Sequence, residues 1–241
     1  MQPDNTTRSI SFDTNVSVDC VILGFDGESL KVLLSRRSDE DPHAQYTHLK
    51  LPGRLLYANE DPDDAASDII NQLTGTRNHF FQQFRAFGSP DRTKNPKDVL
   101  WLENAIKQKI GRIVTIAYFS LVRINNRTHR TFAGYDATWY KVSELPELAF
   151  DHSHIIREVL KELEDLSTLR PHLLFEMLPA KFTALQLRHL HEQIIGHDMD
   201  VRNFAKLIMN KPYIVPLDEW EQNVSHRAAR YYKFQPSKVK K

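Results

Sequence analysis

Residues Leu51 to Gly75 read LPGRLLYANEDPDDAASDIINQLTG. This stretch reads as a loop that contains glycine, then a helix, then a glycine that ends the helix. Asp61 or Asp63 can cap the start of the helix, because a short side-chain oxygen accepts hydrogen bonds from the free backbone N–H groups there. Apolar residues recur near helical spacing, and Gly75 can take the left-handed conformation that ends helices. The stretch therefore predicts a loop and an amphipathic helix packed on a larger domain.

This layout resembles the Nudix box, whose helix carries Arg and Glu residues that hold magnesium for the cleavage of nucleoside diphosphate compounds. Aligned on LPG, the Ala-Ala pair and the closing Thr-Gly, the chain has Asp68 where the motif has Arg. The three Glu positions of the helix carry Ile69, Gln72 and Leu73, and only Glu60 in the loop matches. Magnesium is bound by carboxylate oxygens and water, which two apolar side chains and an amide do not supply. We therefore expect no catalytic residue, no metal site and no cofactor, but a retained scaffold that binds without turnover.

Composition bounds the class of protein. The chain has 241 residues, 32 Lys plus Arg, 31 Asp plus Glu and a formal net charge of +1, so it is not a polycation as a whole. Its single cysteine, Cys20, lies in an apolar run and cannot form an internal disulfide. The longest apolar run, Ile113–Val122, is about half of a membrane span, and the N-terminus lacks the pattern of a signal peptide. These features favour a cytoplasmic protein of one large or two modest domains without a membrane partner.

Strand signals surround the helix on both sides. Val16–Gly24 and Leu30–Arg36 are β-rich and flank an Asp-Gly turn, which predicts a hairpin. Further strands are expected at Phe80–Phe87, Gly111–Ile124 and Trp139–Tyr140. With the resemblance above, these elements predict an α+β protein whose first domain is a Nudix-like α/β/α sandwich with a mixed sheet.

Five charged residues are candidates for binding a small-molecule effector. Arg36 and Arg37 end the second strand, which places them either near a ligand pocket or at an exposed strand end. The full set of effector candidates is Arg36, Arg37, Arg54, Glu60 and Arg112. A helix predicted over Pro96–Lys109 looks like an insertion in this fold, and it could cover the mouth of the pocket or a dimer surface.

The chain changes its organisation after an amphipathic helix at Ser153–Leu166, so we expect domains at 1–166 and 167–241. In the second part, Thr183 and Gln186 form a capping-box pattern, and Gly196 ends that helix. A tight turn leads to Asp200, a good cap for a second short helix. In this second helix we expect Val201, Phe204, Ala205 and Ile208 to face inward. The outward-facing residues are expected to be Arg202, Asn203, Lys206, Met209 and Asn210.

Two helices joined by so short a turn are typical of a helix-turn-helix, in which the second helix enters the major groove of DNA. Arg can bind guanine, Asn can bind adenine and Lys can pair with phosphate. Strands at Tyr213–Val215 and Arg230–Phe234, with a polar loop between them, predict a wing. From Pro171 onward the chain has 11 Lys plus Arg against 7 Asp plus Glu, which favours double-stranded DNA as the partner of this domain. The DNA-binding candidates are Thr183, Gln186, Arg202, Asn203, Lys206, Lys211, His226 and Arg227.

With both parts considered, the chain resembles the Nudix-related transcriptional regulators, in which a Nudix-like effector domain precedes a winged helix. The motifs are LPG…AA…TG, Phe150-Asp151-His152, LP.KFT..QL..L.E.I.G, MD.RNF and the closing YYKF. The resemblance implies a homodimeric repressor whose DNA affinity changes when a metabolite occupies the Nudix pocket. Some branches respond to ADP-ribose and others to sugars such as arabinose; Arg54 and the altered box favour a sugar or a sugar-derived or nucleotide compound here.

The sequence is also compatible with two other classes of protein, a Nudix hydrolase with an unorthodox metal site and an interaction scaffold. Magnesium-dependent turnover of nucleotide sugars would favour the hydrolase. A salt-sensitive, sequence-specific complex with DNA would favour the regulator.

Overall fold

The computed structural model describes residues 14–37, 49–75, 80–124, 136–225 and 227–239. The strands of the first domain are β1 (Thr14–Phe25), β2 (Leu30–Arg36), β3 (Leu49–Lys50), β4 (Gly53–Leu55), β5 (Phe80–Phe87), β6 (Arg112–Arg123) and β7 (Ala137–Lys141). Its helices are α1 (Pro62–Thr74), α2 (Pro96–Ile106) and α3 (His152–Leu169). The predicted α/β/α sandwich with a mixed sheet is confirmed.

The seven strands form one sheet in the order β3-β2-β1-β6-β5, with β4 paired to β1 and β7 paired to β2. β1 and β6 run parallel along their whole length, from the Thr14–Arg112 pair to the Phe25–Arg123 pair. The other pairs are antiparallel. The Asp-Gly hairpin between β1 and β2 forms as predicted.

Both faces of β1 are buried because helices cover the sheet on both sides, and side chains alternate between the faces along a strand. One face carries Val18, Cys20 and Ile22, which pack with the apolar residues of α1. The other face carries Val21, Leu23 and Phe25, which pack with those of α3.

The ends of α1 follow the local sequence signals. Asp61 is the N-cap and accepts the backbone N–H of Asp63 over 2.8 Å. Gly75 ends the helix in the left-handed region at φ 67°. Both features agree with the expectation from the sequence.

The second domain is a winged helix. Its elements are β8 (Phe182–Thr183), α4 (Ala184–Ile195), α5 (Val201–Phe204), β9 (Ile214–Trp220) and β10 (Arg230–Phe234), with a three-stranded sheet in the order β8-β10-β9. Because α3 continues to Leu169, past the boundary expected at residue 166, we propose that the division lies at Arg170–Pro171. Among the described residues, no helix is both long enough and apolar enough to cross a membrane.

Candidate effector pocket and DNA-reading face

The helix of the box-like stretch does not fit a magnesium ion. Ile69 and Leu73 are 2% exposed and belong to the core between α1 and the sheet. Asp63 accepts a hydrogen bond from the hydroxyl of Tyr118, and Asp61 is occupied as the helix cap. Within the described ranges, no group of three His, Cys, Asp or Glu side chains is arranged to hold a metal ion.

A cavity of about 50 Å³ lies beside this loop, between the sheet, α2 and the start of α3. Its lining combines charged, polar and aromatic side chains with loop backbone: Ser17, Asp19, Lys50, Gly53, Arg54, Leu55, Arg92, Trp101, Leu102, Ile113, Phe150 and His152. This is the candidate effector pocket. A Cβ atom at Gly53 would overlap the Asp19 carboxylate, so this close approach of loop and strand requires glycine.

Asp19 is the carboxylate of the pocket, and cationic and polar groups surround it. Nη2 of Arg92 lies 3.4 Å and Nε2 of His152 lies 3.6 Å from its Oδ2. Nδ1 of His152 accepts the backbone N–H of Leu51 over 3.0 Å, so the ring proton belongs on Nε2, which faces Asp19. Burial raises the pKa of Asp19, but His152 and Arg92 outweigh burial and hold that pKa well below its usual range. Asp19 is therefore an ionised acceptor at neutral pH.

Lys50 supports the loop from within the pocket. Its Nζ donates to the carbonyls of Leu51 and Gly53 over 3.1 and 3.0 Å. Burial lowers the pKa of Lys50 despite the nearby Asp19 carboxylate. This lysine fixes the LPG backbone at the edge of the cavity.

The predicted insertion helix forms one wall of the pocket. Trp101 and Leu102 of α2 line the cavity. The insertion helix therefore lies at the pocket, which is one of the two positions considered for it. Asp98, 3% exposed, anchors α2 by an ion pair with Nη2 of Arg37 over 2.6 Å. The guanidinium of Arg37 lies 4.5 Å from the ring centroid of Trp101, a cation–π geometry.

Only some of the five effector candidates lie at the pocket. Arg54 lines the cavity, but its guanidinium is paired with both oxygens of Glu60, and these hydrogen bonds lower the pKa of Glu60 to about 2. Arg37 is buried behind the pocket wall. Arg36 lies outside the lining, with its Nε 3.2 Å from Asp136. Arg112 also lies outside it, and its Nη2 donates to the carbonyl of Gly88 over 2.6 Å.

Most of the pocket's chemistry was missed from the sequence. Asp19, Lys50, Arg92 and His152 come from separate elements, and only the Phe150-Asp151-His152 motif marked one of these segments in advance. Arg92 and Asp19 are 73 positions apart in the chain. A pairing at such distance leaves no periodic signal in a single sequence.

On the DNA side, the capping box forms as predicted. The Thr183 hydroxyl accepts the N–H of Gln186 over 3.2 Å, and Oε1 of Gln186 accepts the N–H of Thr183 over 3.0 Å. Thr183 is 3% exposed. Its side chain therefore serves the start of α4 and is not available to DNA in this structure.

The segment predicted to contact DNA bases, residues 200–209, is called the reading segment below. It begins at Asp200, whose Oδ1 accepts the backbone N–H groups of Arg202 and Asn203 over 3.1 and 2.9 Å. The side chains of Arg202, Asn203 and Lys206 are exposed on one short segment. Phe204 is buried as predicted, at 3% exposure.

The expectation that Val201 and Ala205 face inward is wrong, since both are exposed. The expectation that Met209 faces outward is also wrong, since Met209 packs against the hydrophobic core. The physical reason is the backbone: α5 has only four residues and continues as a π-helical turn over Ala205–Met209. A π-turn advances by more residues per turn than an α-helix, so a projection at 3.6 residues per turn misplaces the faces.

The wing is longer than predicted. β9 extends to Trp220, five residues beyond the expected end at Val215, while β10 matches the prediction. Lys211 and Arg227 are exposed near these strands, and His226 lies outside the described residues. The guanidinium of Arg230 lies 5.5 Å from the ring centroid of Trp220, which holds the two strands together toward the tip.

Known proteins resemble this chain both in the winged helix and along most of its length. The model of the NrtR DNA-binding winged helix domain matches residues 174–234. The ADPR responsive transcriptional repressor NtrR of Acinetobacter baylyi is 22% identical over 223 residues, covering 91% of this chain and 81% of the relative.

Two solved structures share the fold. Shewanella oneidensis NrtR complexed with a 27mer DNA matches with a TM-score of 0.68 and 20% identity, covering 92% of this chain and 94% of that one. A MutT/nudix family protein from Enterococcus faecalis matches with a TM-score of 0.64 and 22% identity, covering 93% and 89%. Residues 174–234 therefore match the NrtR DNA-binding winged helix domain, and the whole chain shares the fold of these two solved structures.

Proposed function

We propose that this protein is a transcriptional repressor whose Nudix-fold domain binds a metabolite and thereby changes the affinity of the winged helix for operator DNA. The observation that carries the proposal is the combination of a pocket and a reading segment in one continuous structure. The pocket holds an ionised carboxylate and buried cations. The reading segment presents Arg202, Asn203 and Lys206 on its outer side.

The DNA partner follows from the winged helix. Base-edge recognition by Arg202 and Asn203 would give sequence preference, while Lys206 and Lys211 would pair with phosphates. Because a single winged helix offers few base contacts, we propose a homodimer that binds two half-sites.

Two effector classes have specific support. The name of the Acinetobacter relative favours ADP-ribose. The polar and charged lining of the cavity suits a hydroxyl-rich compound such as arabinose. Asp19 and Arg92 supply an acceptor and a donor for hydroxyl groups, and the Trp101 ring supplies an apolar face. We therefore propose a sugar as the first candidate for the effector and ADP-ribose as the second.

The DNA-binding part is tested by selecting sequences from a random duplex library with the full-length chain. We expect one enriched, two-fold-symmetric motif whose binding weakens steeply as salt rises. Enrichment of no motif, together with equal affinity for all duplexes, would remove the regulator from consideration.

The sensing part is tested by calorimetric titration with L-arabinose and with ADP-ribose. The Asp19→Asn variant should lose binding of the true effector, and the exposed Asp64→Asn variant on α1 is the matched control. Binding that survives Asp19→Asn unchanged would place the effector elsewhere.

A further inference from the structure

Asp98 joins three elements around the pocket through one carboxylate. Its Oδ1 accepts a hydrogen bond from Nη2 of Arg37, the residue after β2, over 2.6 Å. Its Oδ2 accepts the backbone N–H of Phe150, just before α3, over 2.8 Å. Asp98 itself lies on α2 and is buried, at 3% exposure. One side chain thus fixes the pocket wall to both neighbouring elements.

The turn that Asp98 holds has an uncommon conformation. Phe150 has φ 53°, in the left-handed region that non-glycine residues rarely adopt. Such a conformation persists only where the surroundings enforce it. The hydrogen bond from its N–H to Asp98 is one such constraint, and it acts two residues before α3 begins.

The pocket side of this arrangement is aromatic. Trp101 and Phe150 line the cavity, and the guanidinium of Arg37 lies 4.5 and 5.5 Å from their ring centroids. Within the described part of the chain, Nε and Nη1 of Arg37 have no hydrogen-bond acceptor. The position of Arg37 therefore depends on Asp98 and the two rings.

The other side of the arrangement leads to the winged helix through α3. The apolar face of α3 shares one hydrophobic core with α4 and the reading segment. This core includes Ile155, Val159 and Leu163 of α3 with Leu187, Leu190 and Phe204 of the winged helix. Closely packed interiors transmit a displacement to their neighbours and do not absorb it.

We propose that Asp98 couples occupancy of the effector pocket to the orientation of the winged helix. This inference rests on the proposed function, because it assigns the regulation of the same pocket. Asp98 would be a positioning residue that touches neither the effector nor DNA. It would transmit the movement of Trp101 and α2 to Phe150 and α3.

Two variants and one control test the role. Asp98→Asn removes the charge and leaves the Arg37 cation buried, which can destabilise the fold. The double variant Arg37→Met with Asp98→Leu removes both charges together, which is often close to neutral for stability, and it still deletes the acceptor for Phe150. Asp91→Asn is the control, because Asp91 precedes α2 and forms an exposed ion pair with Lys94.

Hydrogen exchange of the full-length chain tests the connection without any effector. We expect the double variant to accelerate amide exchange by about fivefold or more in the first turn of α3 and in α4, because local opening becomes easier there. Asp91→Asn should keep wild-type rates in both segments. Acceleration confined to α2 and Phe150, with wild-type rates in α4, would overturn the proposal.

DNA affinity with and without L-arabinose or ADP-ribose tests the coupling itself. We expect the double variant to bind the effector within about tenfold of wild type, while the factor by which the effector changes DNA affinity falls toward one. A factor equal to that of wild type would overturn the proposal. If neither compound changes the DNA affinity of the wild-type chain, the proposed function fails, and hydrogen exchange still decides whether Asp98 connects the pocket wall to α4.

Discussion

Gln193 holds the backbone of Leu30. Its Oε1 accepts the Leu30 N–H over 2.6 Å, and its Nε2 donates to the carbonyl of Glu28 over 2.6 Å. Gln193 belongs to α4 of the winged helix, whereas the hairpin between β1 and β2 belongs to the Nudix-fold domain. One amide side chain thus ties the two domains together as a neighbouring strand would.

Replacing Gln193 by Ala should weaken this connection. Each side chain–backbone hydrogen bond of this kind contributes about 0.5–1.5 kcal/mol to the free energy of unfolding. Because both bonds are partly exposed, we expect each to contribute near the lower end of that range. We expect the free energy of unfolding in urea to fall by about 1 kcal/mol. Gln72→Ala, at an exposed position of α1, is the matched control, and a loss no larger than in that control would contradict the account.

The stability of the winged helix should depend on pH through His191. This side chain is 5% exposed, its ring lies 6.2 Å from that of Phe204, and burial lowers its pKa from 6.5 to about 4. The unfolded chain therefore takes up the proton first as the pH falls, so this stability is fully present above the unfolded pKa and is lost between about pH 6.5 and 4. We expect a decrease of about 1–2 kcal/mol in the free energy of unfolding between pH 7 and 5.

Substitution of His191 separates the contribution of this side chain to the pH dependence of unfolding from the contributions of other groups. His191→Phe should reduce the pH dependence of unfolding over this range, whereas the exposed His197→Gln should retain it. An unchanged pH dependence in His191→Phe would show that another group is responsible.

The box-like helix should not support hydrolysis. We expect no magnesium-dependent release of phosphate or monophosphate from ADP-ribose above a protein-free blank, because Ile69 and Leu73 offer no oxygen ligand. Turnover that is well above the blank and is lost in Glu60→Gln would contradict this prediction. Because Glu60 pairs with Arg54, the folding of that variant must be verified by its thermal unfolding.

The reading segment should divide into base and phosphate contacts. Arg202→Ala and Asn203→Ala should each weaken the preferred duplex by about 1–3 kcal/mol and relax its sequence preference. Lys206→Ala and Arg227→Ala should weaken all sequences alike and flatten the salt dependence. An unchanged ratio of specific to non-specific affinity in both Arg202→Ala and Asn203→Ala would mean that this segment does not read bases.

Assembly is the last expected property. Two half-sites require two winged helices related by symmetry. Light scattering at micromolar concentration should give the mass of a homodimer, and a monomer in the presence of the selected duplex would count against it.

Local signals were sufficient for several elements. The Asp26-Gly27 turn, the Asp61 cap with its Gly75 stop and the capping box at Thr183 each depend on residues a few positions apart. Such contacts are favoured by the chain's own geometry and are therefore visible in a single sequence.

Long-range arrangements were not visible in the same way. No local pattern indicates that Asp98 is the buried residue of α2, because a charged side chain is buried only when partners such as Arg37 come from elsewhere in the fold. The π-turn after Phe204 likewise altered a helical face that was inferred from regular spacing.

The coupling between effector binding and DNA binding tests the proposed regulation most directly, and it can be measured in both directions. The affinity for the selected duplex is determined with the pocket free and with it saturated by the compound that binds, and the affinity for that compound is determined with and without the duplex. Linkage requires the same factor in both directions, and we expect a weakening of about fivefold or more for a ligand-released repressor. Equal DNA affinity with the pocket free and saturated would contradict the account.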